Sequence, residues 1–501
     1  MLTGIGALST PIAQRAPAHV PLVFQPVVPE LMLVATAIVL LLWDAMRQEE
    51  RQAPLALGAL AGIGGAAAYT VWLWSWVGKP GHPASVLGGM VAADKFALFI
   101  RLILLGVAAI GVILSYHYLD RAGEARGEYY PLLLFATAGM TLIAAADDLI
   151  VVFLALEILS LSLYLMTGFS FRRLASAEAS MKYFLLGAFS SAFFLYGIAL
   201  AYGAAGTTNL SGIAGKLSGQ VGGVALALGA AGLLATGFGF KVAAVPFHMW
   251  TPDAYQGAPT CVTAFMSAGT KVAAFGAFLR VFNTAFSPLV WDWRPFVWGV
   301  AAVTMLVGSI LAIAQTDVKR MLAYSSIAHA GFILVGVTAA EKGIQQAMFY
   351  LVAYATMILG AFAVVMLVSV RGEQNTSLAS YAGLARRSPF LAGAMALFLL
   401  SLAGIPPTAG FIAKVAVFGA AIQAGYWPLV LIAVIASVIA AFFYIRVIVL
   451  MYMQDPAETM EVERTSVAQV GVALPAALTL LFGVLPGLLF GFLKSASVIR
   501  F

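Results

Sequence analysis

The sequence predicts an all-α polytopic membrane protein with about 14 transmembrane helices. Its 501 residues are 62% hydrophobic and only 10% charged, whereas about 25% of the residues in a soluble domain are charged. The apolar runs are long and rich in Ala, Leu and Gly, unlike the ten-residue alternating segments of an outer-membrane barrel. The 49 glycines and 21 prolines suit membrane helices that pack closely or break. A soluble enzyme, a secreted disulfide scaffold and a disordered protein are excluded.

The predicted spans follow one another along the chain. A helix that crosses a bilayer needs about 20 apolar residues. Residues 1–28 lack the basic start and short apolar core of a signal peptide, so we expect the first span to be retained. The predicted spans lie near residues 30–46, 56–78, 96–116, 130–146, 148–168, 180–203, 221–247, 258–283, 296–315, 318–339, 343–370, 389–422, 427–452 and 467–492.

Prolines interrupt two of these spans. The seventh contains GFGFKVAAVPFHMWTPDAYQGAP (237–259) and the twelfth contains LAGIPPTAGFIAK (402–414). Proline removes a helical hydrogen bond, so both helices are predicted to break, and a broken helix in lipid needs a polar interior. The breaks lie five helices apart, which predicts two inverted five-helix repeats, as in transporters. The predicted organisation is helices 1–3 (1–129), a first repeat of helices 4–8 (130–283), an inverted second repeat of helices 9–13 (296–452) and helix 14 (467–501).

The charges of the loops predict the orientation. About twelve Lys and Arg residues lie in loops after odd-numbered spans, and about eight lie in the other loops. The positive-inside rule therefore makes the odd loops cytoplasmic and places both termini on the outer side. The twelve are Arg47, Arg51, Arg121, Arg126, Arg172, Arg173, Lys319, Arg320, Arg371, Arg386, Arg387 and Arg464.

Four charged side chains inside the spans are the main candidates for function: Glu157, Lys241, Lys271 and Lys414. Each costs about 2.5–3.5 kcal/mol at a helix centre, which a purely structural role seldom justifies. Burial brings the neutral form of an amine or a carboxyl group within reach near neutral pH, so such groups can bind and release protons. The four residues therefore predict a proton path inside the membrane.

The surroundings of Glu157 and Lys241 suggest a switch. Ser160 and Tyr164 share the helical face of Glu157, and Lys241 lies five residues before Pro246. A carboxylate that approaches or leaves a buried lysine would load or unload its amine. A static ion pair between Glu157 and a neighbouring lysine is the alternative, and a pair that opens and closes would satisfy both interpretations.

The other two lysines extend the pattern. Lys271 lies mid-span with Ser267 on its helical face, and Lys414 follows the second break by about two turns. A lysine within about eight residues of a proline break therefore occurs in both halves, which is the strongest single signal in the sequence. The alternative for any lysine near a helix end is an amine that snorkels to the membrane surface.

Two histidines are secondary relay candidates because histidine titrates near neutrality. His329 lies mid-span with Ser325 four residues before it, and His248 follows Lys241 by seven residues, which places both on one face. A histidine that is merely hydrogen-bonded in the bundle is the alternative. Other charged groups are interpreted as a polar turn or proton-collecting pair (Asp147, Asp148), a local ion pair (Glu178, Lys182) and interfacial anchors (Asp317, Lys319, Arg320).

The sequence offers no site for redox or nucleotide chemistry. Its single cysteine, Cys261, cannot ligate an iron–sulfur cluster or form an internal disulfide. It contains no P-loop and no dinucleotide fingerprint after a strand. Its basic residues are scattered singly, so no nucleic acid is expected as a partner. The energy for ion movement would have to come from another gradient or from partner proteins.

The segments GFGFKVAAVPFHMWTPDAYQGAPTCVTAFMSAGTK, DVKRMLAYSSIAHAGF and AGIPPTAGFIAK resemble the antiporter-like membrane subunits of respiratory NADH:quinone oxidoreductase, complex I. The resemblance covers about residues 130–450, and SSIAHAG and GIPPTAGFIAK are most similar to the N type (subunit 2 in mitochondria). Members of the family have 14 helices, broken helices 7 and 12 and two inverted repeats. Their glutamate on helix 5, lysines on helices 7 and 8 and charged residue on helix 12 match Glu157, Lys241, Lys271 and Lys414.

The resemblance implies a proton-translocating subunit in a bacterial plasma membrane. It implies other complex I subunits as partners, including neighbouring antiporter-like subunits, besides membrane lipid and protons. This chain would bind no cofactor and no metal, while FMN, iron–sulfur clusters and quinone belong to partner subunits. The alternatives are a subunit of a multi-subunit cation/proton antiporter or of a membrane-bound hydrogenase, and a passive scaffold of the membrane arm.

Overall fold

The computed structural model describes residues 23–46, 52–219, 223–369, 376–456, 461–462 and 466–499. Four of the arginines that predict the orientation (Arg47, Arg51, Arg371 and Arg464) and most of the segment 1–28 lie outside these residues.

The described chain is almost entirely helical, with two small hairpins. The strand β1 (Ser85–Val86) pairs antiparallel with β2 (Val91–Ala92), and β3 (Val368–Ser369) pairs antiparallel with β4 (Glu461–Val462). Short 3-10 helices cover Gln25–Val27, Ser287–Leu289, Ala340–Gly343 and Leu378–Tyr381. The α-helices are α1 (Val28–Met46), α2 (Ala53–Trp76), α3 (Lys95–Arg121), α4 (Tyr129–Ala145), α5 (Leu149–Thr167), α6 (Leu174–Ala205), α7 (Leu210–Gly219), α8 (Val224–Val242), α9 (Trp250–Gly257), α10 (Thr260–Thr284), α11 (Val290–Ile313), α12 (Val318–Thr338), α13 (Ile344–Leu367), α14 (Leu384–Arg387), α15 (Pro389–Ala403), α16 (Ala409–Gln423), α17 (Trp427–Met453), α18 (Ser466–Val484) and α19 (Pro486–Ala496).

The predicted class, an all-α polytopic membrane protein, is confirmed. Among the described residues, 11 helices are long and apolar enough to cross a bilayer, or 12 if α18 and α19 count as one bent span. Three apolar helices (α4, α15 and α16) are shorter than a full span. The centre of the bundle consists of α10, α12 and α13, which are buried along nearly their whole apolar length, whereas α1, α2, α6 and α17 expose apolar side chains outward.

The helices end at both proline-rich segments, and they end in the same way. Ala243 and Gly404 adopt the left-handed conformation, with φ of 63° and 88°. The N–H of the following residue then bonds to the carbonyl five residues back, Ala244 to Gly239 and Ile405 to Leu400. This Schellman arrangement satisfies the last carbonyls of α8 and α15. The chain resumes helical structure at Trp250 and Ala409.

Other elements differ from the sequence prediction. The last predicted span, 467–492, is split into α18 and α19, which meet at an angle of 85° because Pro486 starts a new helix after Leu485. A short amphipathic helix, α7, lies in the connection between α6 and α8, where no span was predicted. Neither hairpin was predicted, because two-residue strands leave no periodic signal.

Glycines bring α11 and α12 into close contact beside the first break. A Cβ added at Gly308 would lie 2.5 Å from the backbone nitrogen of Ala328, and one at Gly331 would lie 2.7 Å from the nitrogen of Met305. Small residues permit such approach of membrane helices. The contact holds Thr304 of α11 in the interior, facing the unwound segment 243–249.

Candidate functional site

Lys241 lies in the last turn of α8, directly before the first break, and its side chain is buried. Its Nζ donates a hydrogen bond to Oγ of Ser160 on α5 at 2.7 Å and lies 3.5 Å from the hydroxyl of Tyr164. The Nζ also lies 5.5 Å from the ring centre of Tyr164 and 5.9 Å from that of Tyr183. The ammonium is therefore held by hydroxyl oxygens and by aromatic faces.

Glu157 lies three residues before Ser160 on the same helix, but it turns toward α6. Its half-buried carboxylate accepts a hydrogen bond from the hydroxyl of Ser191. Glu157 and Lys241, both in the described part of the chain, form no ion pair with each other. The direct pairing expected from the sequence is thus absent, because α5 presents Ser160 to the lysine. The two charges are held by serines on neighbouring helices, Lys241 by Ser160 of α5 and Glu157 by Ser191 of α6.

Two hydrogen bonds fix the unwound segment that follows Lys241. The indole N–H of Trp250 donates to the carbonyl of Phe240 at 2.9 Å, and the N–H of Val245 donates to Oγ1 of Thr304 at 3.0 Å. The bond from Val245 satisfies an N–H that the break would leave unpaired, whereas the carbonyl of Phe240 also accepts from the N–H of Ala243. The Thr304 hydroxyl in turn donates to the carbonyl of Val300, so both of its hydrogen-bonding roles are used.

The placement of His248 corrects the sequence prediction. Because α8 ends at Val242, His248 lies in the unwound segment and does not share a helical face with Lys241. Its Nδ1 is buried and has no hydrogen-bond partner among the described residues.

Lys271 lies near the middle of α10 and is completely enclosed. Its Nζ donates to the carbonyl oxygen of Ser326 on α12 and lies 5.3 Å from the ring centre of Tyr354. The Tyr354 hydroxyl donates to Oγ of the same serine at 2.8 Å. Lys271 therefore contacts the neutral polar groups of α12 and α13 and no carboxylate of the described chain.

His329 lies one turn further along α12 and joins three helices. Its Nδ1 lies 2.8 Å from the hydroxyl of Tyr350 on α13, and its Nε2 lies 3.3 Å from that of Tyr444 on α17. The Tyr444 hydroxyl also bonds to Oγ of Ser325. The ring of His329 packs 5.4 Å from that of Tyr354. Lys271 and His329 thus belong to one polar cluster in the centre of the bundle, which we call the central cluster.

Lys414 lies in the second turn of α16, after the second break, and is buried. Its Nζ donates to the carbonyl oxygen of Ala403, the last residue of α15, at 2.9 Å, and lies 4.5 Å from the ring centre of Phe332. Lys241 precedes its break and bonds to α5, whereas Lys414 follows its own break and its ammonium lies at the carboxyl end of α15. In the described chain, no direct hydrogen bond joins the central cluster to Lys241 or to Lys414.

Several buried polar residues of the structure were not predicted from the sequence. Tyr350, Tyr354 and Tyr444 complete the central cluster, and the four-residue spacing of the first two on α13 was an available signal. Arg101 and Arg280 are also buried. Arg101 pairs with Glu30 at 2.8 Å, and Arg280 pairs with Asp94 through two hydrogen bonds of 2.8 Å. Because both arginines have carboxylate partners, we interpret the two contacts as structural ion pairs.

Lys319 corrects another prediction. It was expected to anchor the chain at the membrane surface, but it is buried and its Nζ donates to the carbonyl of Ala258 at 2.6 Å. Its neighbour Asp317 caps α12 through the N–H of Arg320. The short loop therefore packs against the start of α10, because α9 and α10 fold back beside it.

The charged groups near the helix ends form surface networks. The predicted pair of Lys182 and Glu178 is confirmed at 2.7 Å. Asp253 on α9 also accepts hydrogen bonds from Lys182 and Arg320, at 3.1 and 2.7 Å. These contacts join α6, α9 and α12 at one membrane surface.

Asp147 and Asp148 form the connection between α4 and α5. Asp148 caps α5 and accepts a hydrogen bond from Thr208 at 2.6 Å. Burial raises the pKa of Asp147 to about 6, against the opposing field of Arg280.

Metal-binding side chains do not cluster in the described part of the chain, where no group of three or more His, Cys, Asp or Glu residues could hold an ion. Cys261 is buried in α10.

The chain is similar to known proteins over most of its length. A family model described as NADH:quinone oxidoreductase/Mrp antiporter, TM, matches residues 146–440. NADH-quinone oxidoreductase subunit N of Trichlorobacter lovleyi is 44% identical over 474 residues, which cover 94% of this chain and 96% of that protein. A chain of respiratory complex I from Thermus thermophilus, solved with bound aureothin, is 36% identical and superposes with a TM-score of 0.78 over 92% of this chain and 98% of that chain.

A second solved structure shares the fold alone. A chain of the Mrp complex from Dietzia is 23% identical to this chain and superposes with a TM-score of 0.80, over 94% of this chain and 96% of that chain. The same architecture therefore occurs in assemblies with different names.

Proposed function

The chain belongs to the family of NADH-quinone oxidoreductase subunit N, and from this premise we propose that it translocates protons in the membrane arm of that enzyme. NADH oxidation and quinone reduction in partner subunits supply the energy. One observation carries the proposal: Lys241, Lys271 and Lys414 are buried and held only by neutral oxygens and aromatic rings. An amine in such a site can release its proton without leaving an unpaired carboxylate in the membrane.

The four charged residues have separate roles in this proposal. Glu157 changes the proton affinity of Lys241 through the electric field of its carboxylate. Lys271 passes the proton laterally through the hydroxyls of the central cluster, with His329 as a relay. Lys414 exchanges the proton with the opposite membrane surface. His248 is the second relay candidate, since its unpartnered Nδ1 lies in the unwound segment next to Lys241.

Water is the proposed link between these groups. The described hydrogen bonds leave gaps between Lys241 and the central cluster, and between that cluster and Lys414. Ordered water can bridge polar groups that are too far apart for a direct bond. A chain of water molecules would complete the path only transiently. The charge of Glu157 would then determine when a proton moves along it.

The proposed architecture has 14 spans and two inverted five-helix repeats, with domains 1–129, 130–283, 296–452 and 467–501. Counting α4 as one span and the pair α15–α16 as one broken span brings the 12 candidate spans to this number. The shared Schellman ends of α8 and α15 support the repeat. We further propose a bacterial plasma membrane location with both termini on the outer side.

The proposed assembly divides the chemistry among subunits. FMN, iron–sulfur clusters and quinone would be held by partners, and no redox step would occur in this chain, whose sequence has one cysteine. Its neighbours would be other complex I subunits, including antiporter-like ones, and membrane lipid.

The fold shared with a chain of an Mrp complex favours one second candidate, a subunit of a multi-subunit cation/proton antiporter. A membrane-bound hydrogenase subunit and a passive scaffold of the membrane arm are further alternatives. If the chain were only a scaffold, its function would not explain why three lysines are buried in the membrane at a cost of several kcal/mol.

A pull-down tests the assembly. The tagged chain is purified in mild detergent, and NADH-dependent quinone reduction is measured on the eluate. Activity together with an iron–sulfur spectrum supports the proposal, since the single cysteine of this chain cannot supply a cluster. An inactive eluate that contains only small membrane proteins, with sodium/proton exchange in vesicles, contradicts the proposal and supports the antiporter.

A further inference from the structure

A charged cavity lies at the membrane surface between α6 and α9. It has a volume of about 330 Å³, and its polar wall includes the side chains of Arg173, Glu178, Lys182, Asp253 and Gln256. Glu178 and Lys182 are exposed at the surface. A polar space of this size can hold several water molecules. The charges of the loops predict that this surface is the cytoplasmic one.

Lys319, the second residue of α12, lies directly behind the wall of this cavity. Its Nζ donates to the carbonyl of Ala258 at 2.6 Å, and the residue before Ala258, Gly257, lines the cavity. Thr376 also lines the cavity, and its carbonyl accepts a hydrogen bond of 2.7 Å from the N–H of Val318. The Lys319 side chain is itself buried. The cavity wall and the buried amine thus share the backbone of residues 257–258.

The amine of Lys319 has the same kind of surroundings as the lysines of the proposed proton path. The nearest charged or titratable groups are Asp317, Arg173 and the thiol of Cys261. The Asp317 carboxylate caps α12, and the hydrogen bond of the amine in the described chain goes to a backbone carbonyl. Lys271 and Lys414 also donate to backbone carbonyls. Lys319 is therefore a fourth buried lysine that is held by a neutral oxygen.

Tyr255 and Ser326 lead from Lys319 toward the central cluster. Ser326 follows Lys319 by seven residues, so it shares the helical face of Lys319 and lies roughly 10 Å further along α12. The helix α9 packs against α12, and the buried hydroxyl of Tyr255 on α9 lies beside the side chain of Ser326. Lys271 donates to the carbonyl of the same serine. A row of polar groups therefore runs from the cavity along α12 to Lys271.

We propose that protons enter this chain through the cavity and that Lys319 is their first buried carrier. The inference rests on the proposed function and adds an entry residue to it. Lys319 gives a proton through water to the hydroxyl of Tyr255, which passes its own proton to Ser326 and on to Lys271. A proton from the cavity then restores the Lys319 ammonium. A buried amine suits this step because burial brings its neutral form within reach near neutral pH.

An arginine in place of Lys319 separates proton transfer from a role in which the lysine only holds α9. Arginine keeps the charge and can donate to the Ala258 carbonyl, but it does not release its proton. The complex is reconstituted into vesicles, and NADH-driven pumping is measured per assembled complex. We expect Lys319→Arg to lower pumping at least about tenfold. Lys342→Arg is the matched control, since exposed Lys342 also donates to a backbone carbonyl, that of Gln423, and it should pump normally.

A second variant tests the route without changing a charge. Tyr255→Phe keeps the ring and removes only the hydroxyl, so the complex should assemble while pumping falls several-fold. Tyr130→Phe is the control. It removes the hydroxyl of another buried tyrosine, which has no hydrogen-bond partner in the described part of the chain, and it should pump at the wild-type rate.

The outcomes distinguish this inference from the proposed function. Wild-type pumping by Lys319→Arg would overturn the inference and leave Lys319 as a residue that holds α9. Wild-type pumping by Tyr255→Phe would also overturn it, and this result decides the test if Lys319→Arg does not assemble. Lys241→Ala is measured alongside. If it fails to pump while both other variants pump normally, only the entry site is refuted, whereas full pumping by Lys241→Ala refutes the proposed function itself.

Discussion

Lys241 donates its hydrogen bond to Ser160 on α5, whereas the carboxylate of Glu157 on the same helix bonds to Ser191 of α6. A lysine in direct contact with a carboxylate would be fixed as an ion pair in the low-dielectric interior. A lysine that is held by a hydroxyl senses the carboxylate through space and keeps the freedom to lose its proton. The separation of the two charges is therefore the feature on which the proposed switch depends.

Removal of the Ser160 hydroxyl should impair proton transfer. Ser160→Ala deletes the acceptor of the Lys241 ammonium, and hydrogen bonds to charged groups contribute roughly 1.5–3 kcal/mol. We expect coupled NADH–quinone turnover and proton pumping to fall about tenfold. Ser162→Ala is the matched control, since Ser162 on the same helix bonds only to the carbonyl of Ile158, and it should retain normal activity. Equal activity of the two variants would contradict the role of Ser160.

The hydrogen bond between Thr304 and Val245 should position Lys241. Thr304→Val keeps the shape of the side chain but leaves the N–H of Val245 unpaired in the interior, at a cost of about 1–3 kcal/mol. We expect pumping to fall several-fold while the complex still assembles. Thr304→Ser restores the hydroxyl and should recover most of the activity.

A buried threonine elsewhere provides the control for this prediction. Thr137 on α4 donates only to the carbonyl of Leu133 in its own helix, so Thr137→Val should have little effect on pumping. A Thr304→Val variant that pumps as well as Thr137→Val would show that the unwound segment does not need this bond.

The connection between α4 and α5 should make stability depend on pH. Burial raises the pKa of Asp147 from 3.8 to about 6, so the folded chain binds this proton more tightly than the unfolded chain. Ionisation of Asp147 therefore lowers the free energy of unfolding. This loss grows between about pH 4 and pH 6 and reaches its full size above pH 6. A shift of roughly two pKa units corresponds to a loss of at most about 3 kcal/mol in the free energy of unfolding.

Asp147→Asn removes this cost. The variant should raise the melting temperature at pH 8, and the gain should disappear near pH 4, where the wild-type carboxyl is protonated. The measurement is thermal unfolding of the purified protein at both pH values. An equal difference in melting temperature at pH 4 and pH 8 would be inconsistent with a buried carboxyl of raised pKa.

Much of this fold was predictable from local signals. Prolines at 246 and 406 cannot donate a helical hydrogen bond, so breaks near the ends of α8 and α15 followed from the sequence. Charged residues in apolar runs are rare enough that the sequence alone identifies Lys241, Lys271 and Lys414 as candidates.

The partners of those residues were not predictable in the same way. A helix sequence indicates which residues share its own face, but not which face of another helix lies opposite. Ser160 was therefore identified as a neighbour of Glu157, while its contact with Lys241 depends on how α5 and α8 both pack against α6. Tyrosines such as Tyr444 resemble ordinary core residues in a sequence. Their role in the central cluster depends on helices that are distant along the chain.

The most direct test of the proposed function is proton pumping by a Lys241→Ala variant. The complex is reconstituted into vesicles, and NADH-driven acidification and quinone reduction are measured together. Lys216→Ala on α7, which removes an exposed lysine, serves as the control. We predict that Lys241→Ala lowers both rates at least about tenfold, equivalent to ~1.4 kcal/mol or more, while Lys216→Ala has wild-type rates. Full pumping by the Lys241→Ala complex would contradict the assignment of this lysine to the proton path.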